Sequence, residues 1–265
     1  MRLAATVFMM CFYAVSSAQD SSWPGGVAML DLGAAEGAPP AVEFDGKHVL
    51  VMNNAGRWQA VVGVPLSAEI GRANITLEDG TTISFVVNDH AYLEEHLKVA
   101  QSYVSLSEEN LARYQRERVV IDAALNNWRD VPVDGVALAS PVEGPRSSSF
   151  GKRRFFNDEP RNPHTGMDIA VPEGTPIAAP RAGVVSETGD FYFNGNTVFL
   201  DHGQGFVTMY CHLSEIGVEK GQAVDLGETV GLVGKTGRVT GAHLHFGTYL
   251  NGNAIDPALL LTETN

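Results

Sequence analysis

The sequence predicts a mainly β protein: a small β-sandwich-like N-terminal domain, a connector helix, and a C-terminal domain built on an antiparallel β-sheet. Short apolar runs separated by turn residues recur through both halves. Asp79-Gly80 and Asn194-Gly195 each fall between two such runs, a hairpin signal, and only 107–130 carries apolar residues near a helical repeat. With 265 residues, 44% hydrophobic and 18% charged, the chain has length for two modest domains and is not biased towards disorder.

Residues 1–18 read as an export signal: the positive start Met1-Arg2, the apolar run from Leu3 to Val15, and small residues Ser16-Ser17-Ala18, with cleavage expected after Ala18. The run is too short for a typical membrane span, and Cys11 lies inside it rather than at its end, where a lipid-modified cysteine would stand. The expected location is the periplasm or the cell exterior. Loss of Cys11 with the leader leaves Cys211 as the sole thiol, so no internal disulfide is expected.

Residues 19–106 form the expected N-terminal β domain. Apolar runs at 27–30, 48–52 and 58–64 are followed by 74–77 and 82–87, which flank the Glu78-Asp79-Gly80-Thr81 turn, a spacing that suits an antiparallel sandwich. Residues 107–130 form the connector helix. Ser107 can cap it, Glu108 and Glu109 suit its first turn, and Leu111, Tyr114, Ile121, Leu125 and Trp128 make a stripe that Arg118 interrupts. It is expected to lie against one or both domains. Val131-Pro132-Val133-Asp134-Gly135 breaks it and opens the C-terminal domain, 131–265. There Asn194-Gly195 joins the runs at 191–193 and 198–200, and loops 151–163, 188–196 and 235–242 are expected to wall a groove, with Phe156, Phe191 and Tyr192 as candidate lining.

The formal charge of -13 and pI near 4.9 argue against a nucleic-acid partner, which would need a basic patch.

Chemistry concentrates in two stretches, His164-Thr165-Gly166-Met167-Asp168 and His243-Leu244-His245. Catalytic zinc is commonly held by three nitrogen or oxygen side chains with a fourth position open. His164, Asp168 and one histidine of the His243/His245 pair could supply that set. Residues two apart on a strand share a face, so the other histidine would stand beside the metal, free for proton transfer. The same alternation in 207–213 places Tyr210 and His212 on one side and Cys211 on the other, so Cys211 reads as a buried small hydrophobe.

Leu138 to Leu261 resembles the catalytic domain of the lysostaphin-type, or LytM-type, zinc metallopeptidases, which cleave peptide bonds in bacterial peptidoglycan. The resemblance rests on Ser149-Phe150-Gly151-Lys152-Arg153-Arg154, His164 to Asp168, Tyr210-Cys211-His212-Leu213, and Thr236 to Phe246. It implies that His164, Asp168 and His245 bind Zn2+ and that His212 and His243 are the catalytic imidazoles, with their division into base and acid left open. Ala242 stands where many relatives have proline. Tyr210 is a further candidate for a hydrogen bond to the transition state. Two other functions stay open: a non-catalytic LytM-like activator of a cell-wall amidase, and a secreted protease of Gly-rich proteins. The bond cut, D-Ala to diaminopimelate or Gly-Gly, is not readable. His202, in a turn, is expected to be structural, and His48, His90 and His96 have no assigned chemistry. The N-terminal domain or its connector is expected either to limit access to the zinc groove or to position substrate.

Overall fold

The structure, a computed structural model, describes residues 21–98 and 106–262. The expected leader at 1–18 and the stretch 99–105 before the helix lie outside the described residues. Before the helix come β1 (Val27–Ala34), β2 (Val42–Phe44), β3 (Lys47–His48), β4 (Leu50–Asn54), β5 (Arg57–Gly63), β6 (Gly71–Leu77), β7 (Thr82–Val87) and β8 (Glu94–Leu97). Two antiparallel sheets, ordered β1-β5-β4 and β3-β2-β6-β7, face each other over Ala28, Phe44, Val51, Val62, Ile75 and Phe85. The β6–β7 hairpin turns where Asp79-Gly80 implied: Thr81 N donates to Asp79 Oδ1 at 2.8 Å, and Gly80 takes the left-handed φ of +81°.

The outer face of the β1-β5-β4 sheet is buried too. Val27, Leu50, Met52 and Val61 belong to the same apolar cluster as Phe206, Tyr210, Phe246 and Leu250 of the second half. Burying such a side chain contributes roughly 1.5–3 kcal/mol, so exposing these four together would cost an amount comparable to the whole net stability of a domain. Polar clamps reinforce the joint. Gly63 N donates to Asn251 Oδ1 at 2.7 Å, Val51 N donates to Gln204 Oε1 at 3.0 Å, and Gln204 Nε2 donates to Val131 O at 3.2 Å. The two halves therefore share one continuous core.

Helix α1 (Glu108–Leu125) starts where Ser107 accepts a hydrogen bond from Asn110 N, with Glu108 and Glu109 in its first turn. Its C-terminal part buries Ile121, Ala124 and Leu125 against Phe191, Phe199, Met209, Cys211 and Tyr249. Leu111, Val119 and Val120 face solvent, and Trp128, beyond the helix, packs against His48 at 5.2 Å between ring centroids. No helix among the described residues is long and apolar enough to cross a membrane.

The second half comprises β9 (Arg146–Ser148), β10 (Arg153–Phe156), β11 (Glu159–Pro160), β12 (Met167–Ile169), β13 (Pro176–Ala178), β14 (Gly183–Phe191), β15 (Gly195–Gly203), β16 (Phe206–Leu213), β17 (Glu215–Ile216), β18 (Ala223–Val224), β19 (Thr229–Leu232), β20 (Leu244–Leu250) and β21 (Asn253–Ile255). An antiparallel sheet ordered β18-β14-β15-β16-β20-β12-β9, with β21 on β20, forms its body. One face meets the shared core; the other meets α1 and the groove. The β14–β15 turn needs glycine at 195: φ is +63°, and a Cβ there would come within 2.4 Å of the Thr236 carbonyl carbon. Strand β8 pairs in parallel with β10, so the N-terminal half also extends an edge beside the groove.

Candidate metal centre

Asp168 on β12 is the register partner of His245 on β20, and His245 in turn pairs with Cys211 on β16. Directly opposed residues share a face, so this cross-strand row carries the carboxylate and imidazole to the groove side. His164 is brought back over them by Gly166, where a Cβ would lie 2.6 Å from Phe246 O and 2.7 Å from His245 Nε2. The result is a triangle: His164 Nε2 to Asp168 Oδ1 3.1 Å, His164 Nε2 to His245 Nδ1 3.0 Å, and His245 Nδ1 to Asp168 Oδ1 2.9 Å.

His164 Nδ1 lies 2.9 Å from the Ser149 carbonyl, which can only accept, so the proton sits on Nδ1 and Nε2 presents a lone pair. A single proton on His245 Nδ1 could serve only one of its two neighbours, whereas a divalent cation serves all three donors. A tetrahedral zinc shell with bonds of about 2.0–2.2 Å has edges of about 3.3–3.6 Å, a few tenths wider than the triangle, and two nitrogens with one carboxylate oxygen suit that ion. Burial pushes the Asp168 carboxyl up, but hydrogen bonds and charge from His164 and His245 outweigh it and hold the group well below the usual carboxylate range. Burial, first, lowers His245, with Asp168 opposing.

Two further imidazoles stand beside the triangle. His212 Nδ1 donates to Thr236 O at 3.0 Å and His243 Nδ1 donates to Gly241 O at 2.9 Å, leaving each Nε2 as an acceptor when the ring is neutral. Their ring centroids are 4.9 Å apart, and His243 Nε2 is 3.7 Å from Asp168 Oδ1. Burial first, then the neighbouring His245 and His243, bring His212 down to about 3. The five residues singled out from sequence thus converge on one cavity of about 450 Å³.

Tyr210 does not join them. It is fully buried in the shared core, its hydroxyl 2.7 Å from Thr208 Oγ1, while Cys211 and His212 both line the cavity. The strict alternation that paired Tyr210 with His212 fails because His212 has a φ of +67°, which interrupts the extended backbone at the strand's end. Cys211 is buried as expected, its thiol pushed up to about 12 by burial.

All three expected loops contribute walls, through Arg154, through Phe191, Phe193 and Asn194, and through Arg238, Val239 and Thr240. Phe191 lines the cavity; Phe156 packs beneath Arg161 and Tyr192 beside Arg113 instead. Helix α1 forms a fourth wall with Tyr114, Glu117, Arg118, Ile121 and Leu125. It is tied down by Glu117, which accepts from Tyr192 N at 2.7 Å, and by Tyr114 edge-on to Phe193 at 5.2 Å. The spacing of its stripe signalled packing but not the partner. Elsewhere, His202 donates to Ala182 O and accepts from Thr208 Oγ1, both at 2.9 Å, a structural arrangement; His90 stacks on Trp23 and His96 on Phe155.

A largely antiparallel β fold with a His/Asp/His triangle and two flanking imidazoles defines a candidate metallopeptidase. Comparison with known proteins agrees. The profile of peptidase family M23 matches residues 162–257, and that of the peptidase family M23 N-terminal domain matches 20–90. A crystal structure of a Pseudomonas aeruginosa protein assigned to peptidase M23 superimposes with a TM-score of 0.77 at 42% identity, covering 92% of this chain and 96% of that one. The chain belongs to peptidase family M23. Among curated relatives, the peptidoglycan DD-endopeptidase ShyA of Vibrio cholerae is 44% identical over 111 residues, 42% of this chain and 26% of that protein. The DD-carboxypeptidase/endopeptidase Mpg of Neisseria meningitidis is 40% identical over 118 residues, 44% of this chain and 27% of that protein. The chain thus covers only about a quarter of the length of these two relatives.

Proposed function

We propose that this protein is an exported zinc metalloendopeptidase that hydrolyses peptide cross-links of bacterial peptidoglycan. The observation that carries the reading is the convergence of His164 Nε2, Asp168 Oδ1 and His245 Nδ1 within 3.1 Å of one another, beside two imidazoles held by backbone carbonyls. His164, Asp168 and His245 would hold the ion, which when bound polarises a carbonyl oxygen and acidifies water. His212 and His243 move protons at Nε2: one takes a proton from the attacking water and the other delivers one to the leaving amine. Their anchored Nδ1 atoms keep both rings aimed into the groove.

The substrate is supported by the named activities of the Vibrio and Neisseria relatives, and export by the composition of 1–18. In this reading 19–106 is an N-terminal unit, 107–130 a connector and 131–265 the catalytic unit. The connector limits access to the groove, since Tyr114, Glu117 and Ile121 lie along the cavity.

The test is digestion of purified peptidoglycan by the full mature chain with mass analysis of the released fragments. Expected are stem peptides with new amino termini, abolished by chelation and restored by zinc. Release only of glycan fragments, or turnover indifferent to chelation, would overturn the reading.

A further inference from the structure

We propose that Tyr92, from the N-terminal half, is a positioning residue for the metal centre: its ring braces the Ser149-Phe150-Gly151 turn that holds His164, so the N-terminal half sets how tightly zinc is bound. The inference rests on the metallopeptidase reading above and adds a residue to that site.

Asp168 and His245 stand on paired strands of the central sheet, whereas His164 stands on no strand. Its place therefore depends on what its loop is fastened to. Three hydrogen bonds fasten it, all to one short segment. Gly151 N donates to His164 O at 2.8 Å, His164 N donates to Lys152 O at 3.0 Å, and His164 Nδ1 donates to Ser149 O at 2.9 Å. A shift of 149–152 would carry both the backbone and the ring of His164 with it.

Tyr92 lies directly behind that segment. Gly151 has a φ of +74°, and a Cβ there would fall 2.1 Å from Tyr92 Cδ1 and Cε1, so the tyrosine ring fills the space that a side chain at 151 would take. The ring is itself pinned. Its hydroxyl donates to Pro24 O at 2.6 Å, Phe150 meets it edge-on at 6.1 Å, and His90 meets it edge-on at 4.6 Å while stacking on Trp23 at 4.7 Å. Beyond Tyr92 the same stretch continues along the segment: Arg153 N donates to Leu93 O at 2.9 Å, and β8 pairs with β10. The brace thus comes from residues 23–24 and 90–97, far in sequence from the metal residues.

A ligand histidine binds tightly when the acceptor behind its second ring nitrogen is fixed. Rigid support also lowers the ordering cost of binding. With the Tyr92 ring removed, Gly151 faces a gap, and a glycine can leave its left-handed conformation for many others. The Ser149 carbonyl would then hold His164 less firmly.

The test is competition titration of zinc against a chromogenic chelator in the full mature chain, with thermal unfolding of each zinc-free protein measured alongside. The zinc dissociation constant should rise about tenfold in Tyr92→Ala and several-fold in Tyr92→Leu, and stay within about twofold in Tyr92→Phe, which keeps the ring. Met52→Ala, in the shared core and remote in sequence from the 149–152 segment, serves as the control: it should lower the unfolding midpoint and leave zinc affinity unchanged. A wild-type dissociation constant in folded Tyr92→Leu or Tyr92→Ala, or an equal loss in Met52→Ala, would overturn the proposal. A wild type that binds no zinc would overturn the metal reading and this brace with it, whereas tight wild-type binding with unaltered Tyr92 variants counts against the brace alone.

Discussion

Thr236 accepts the Nδ1 proton of His212 at 3.0 Å through its carbonyl, while its hydroxyl accepts from Asn196 N at 2.9 Å and donates to Leu213 O at 2.8 Å. One residue therefore fixes the His212 ring and fastens the 235–242 loop to the sheet. Thr236→Val keeps the shape but leaves Asn196 N and Leu213 O without this partner, a loss of about 1–3 kcal/mol. A lowered denaturation midpoint is expected, together with reduced kcat, little change in KM and zinc retained. An unchanged kcat would show that His212 does not depend on this anchor.

His212 and His243 differ from His164, Asp168 and His245 in standing outside the 3 Å contacts of the triangle. Alanine at either should leave zinc in place while turnover drops by about 10²-fold or more. Metal analysis of His243→Ala decides the assignment, since loss of zinc there with retention in His245→Ala would exchange the two roles.

The buried His202 ring gives a pH prediction away from the metal. Burial, helped by the nearby Arg181 and Arg129, lowers it to about 4 against the opposing hydrogen bond to Ala182 O. The unfolded chain, titrating near 6.5, then binds more protons between those values. Stability is therefore fully present above about 6.5 and falls as the pH drops to about 4, by roughly 3 kcal/mol for a shift of this size. Denaturation midpoints of wild type and His202→Gln should converge on acidification; parallel curves would contradict the assignment.

The connector helix can be tested without removing the N-terminal half. A fragment of 131–265 would expose the surface that Val27, Leu50, Met52 and Val61 cover, so its activity would confound unfolding with access. Glu117→Gln in the full chain weakens the clamp on Tyr192 N and Arg113. Activity on intact peptidoglycan should rise several-fold, with little change on a short soluble peptide. A fall on both substrates would assign the helix to substrate positioning.

Much of this was legible in the sequence because the chemistry lies in short motifs on strands. His243 and His245 lie two residues apart, and Asp168 reaches His245 by direct cross-strand pairing, with His243 Nε2 3.7 Å from its carboxylate. The relation of His212 to Tyr210 was not legible, since the +67° φ at His212 occurs at a residue whose type does not announce it. Nor was the Ser149 carbonyl behind His164, a backbone acceptor any residue could provide. The shared core did leave a trace: Leu50-Val51-Met52 and Ala60-Val61-Val62 are continuous apolar runs, the signature of a sheet buried on both faces.

The central claim is that His164, Asp168 and His245 hold zinc, and the most direct measurement is the zinc content of the full mature chain and of His245→Ala after chelation, zinc reloading and desalting. One equivalent in the wild type and almost none in the variant is the expected result. A His245→Ala protein that reloads to the wild-type level would contradict it.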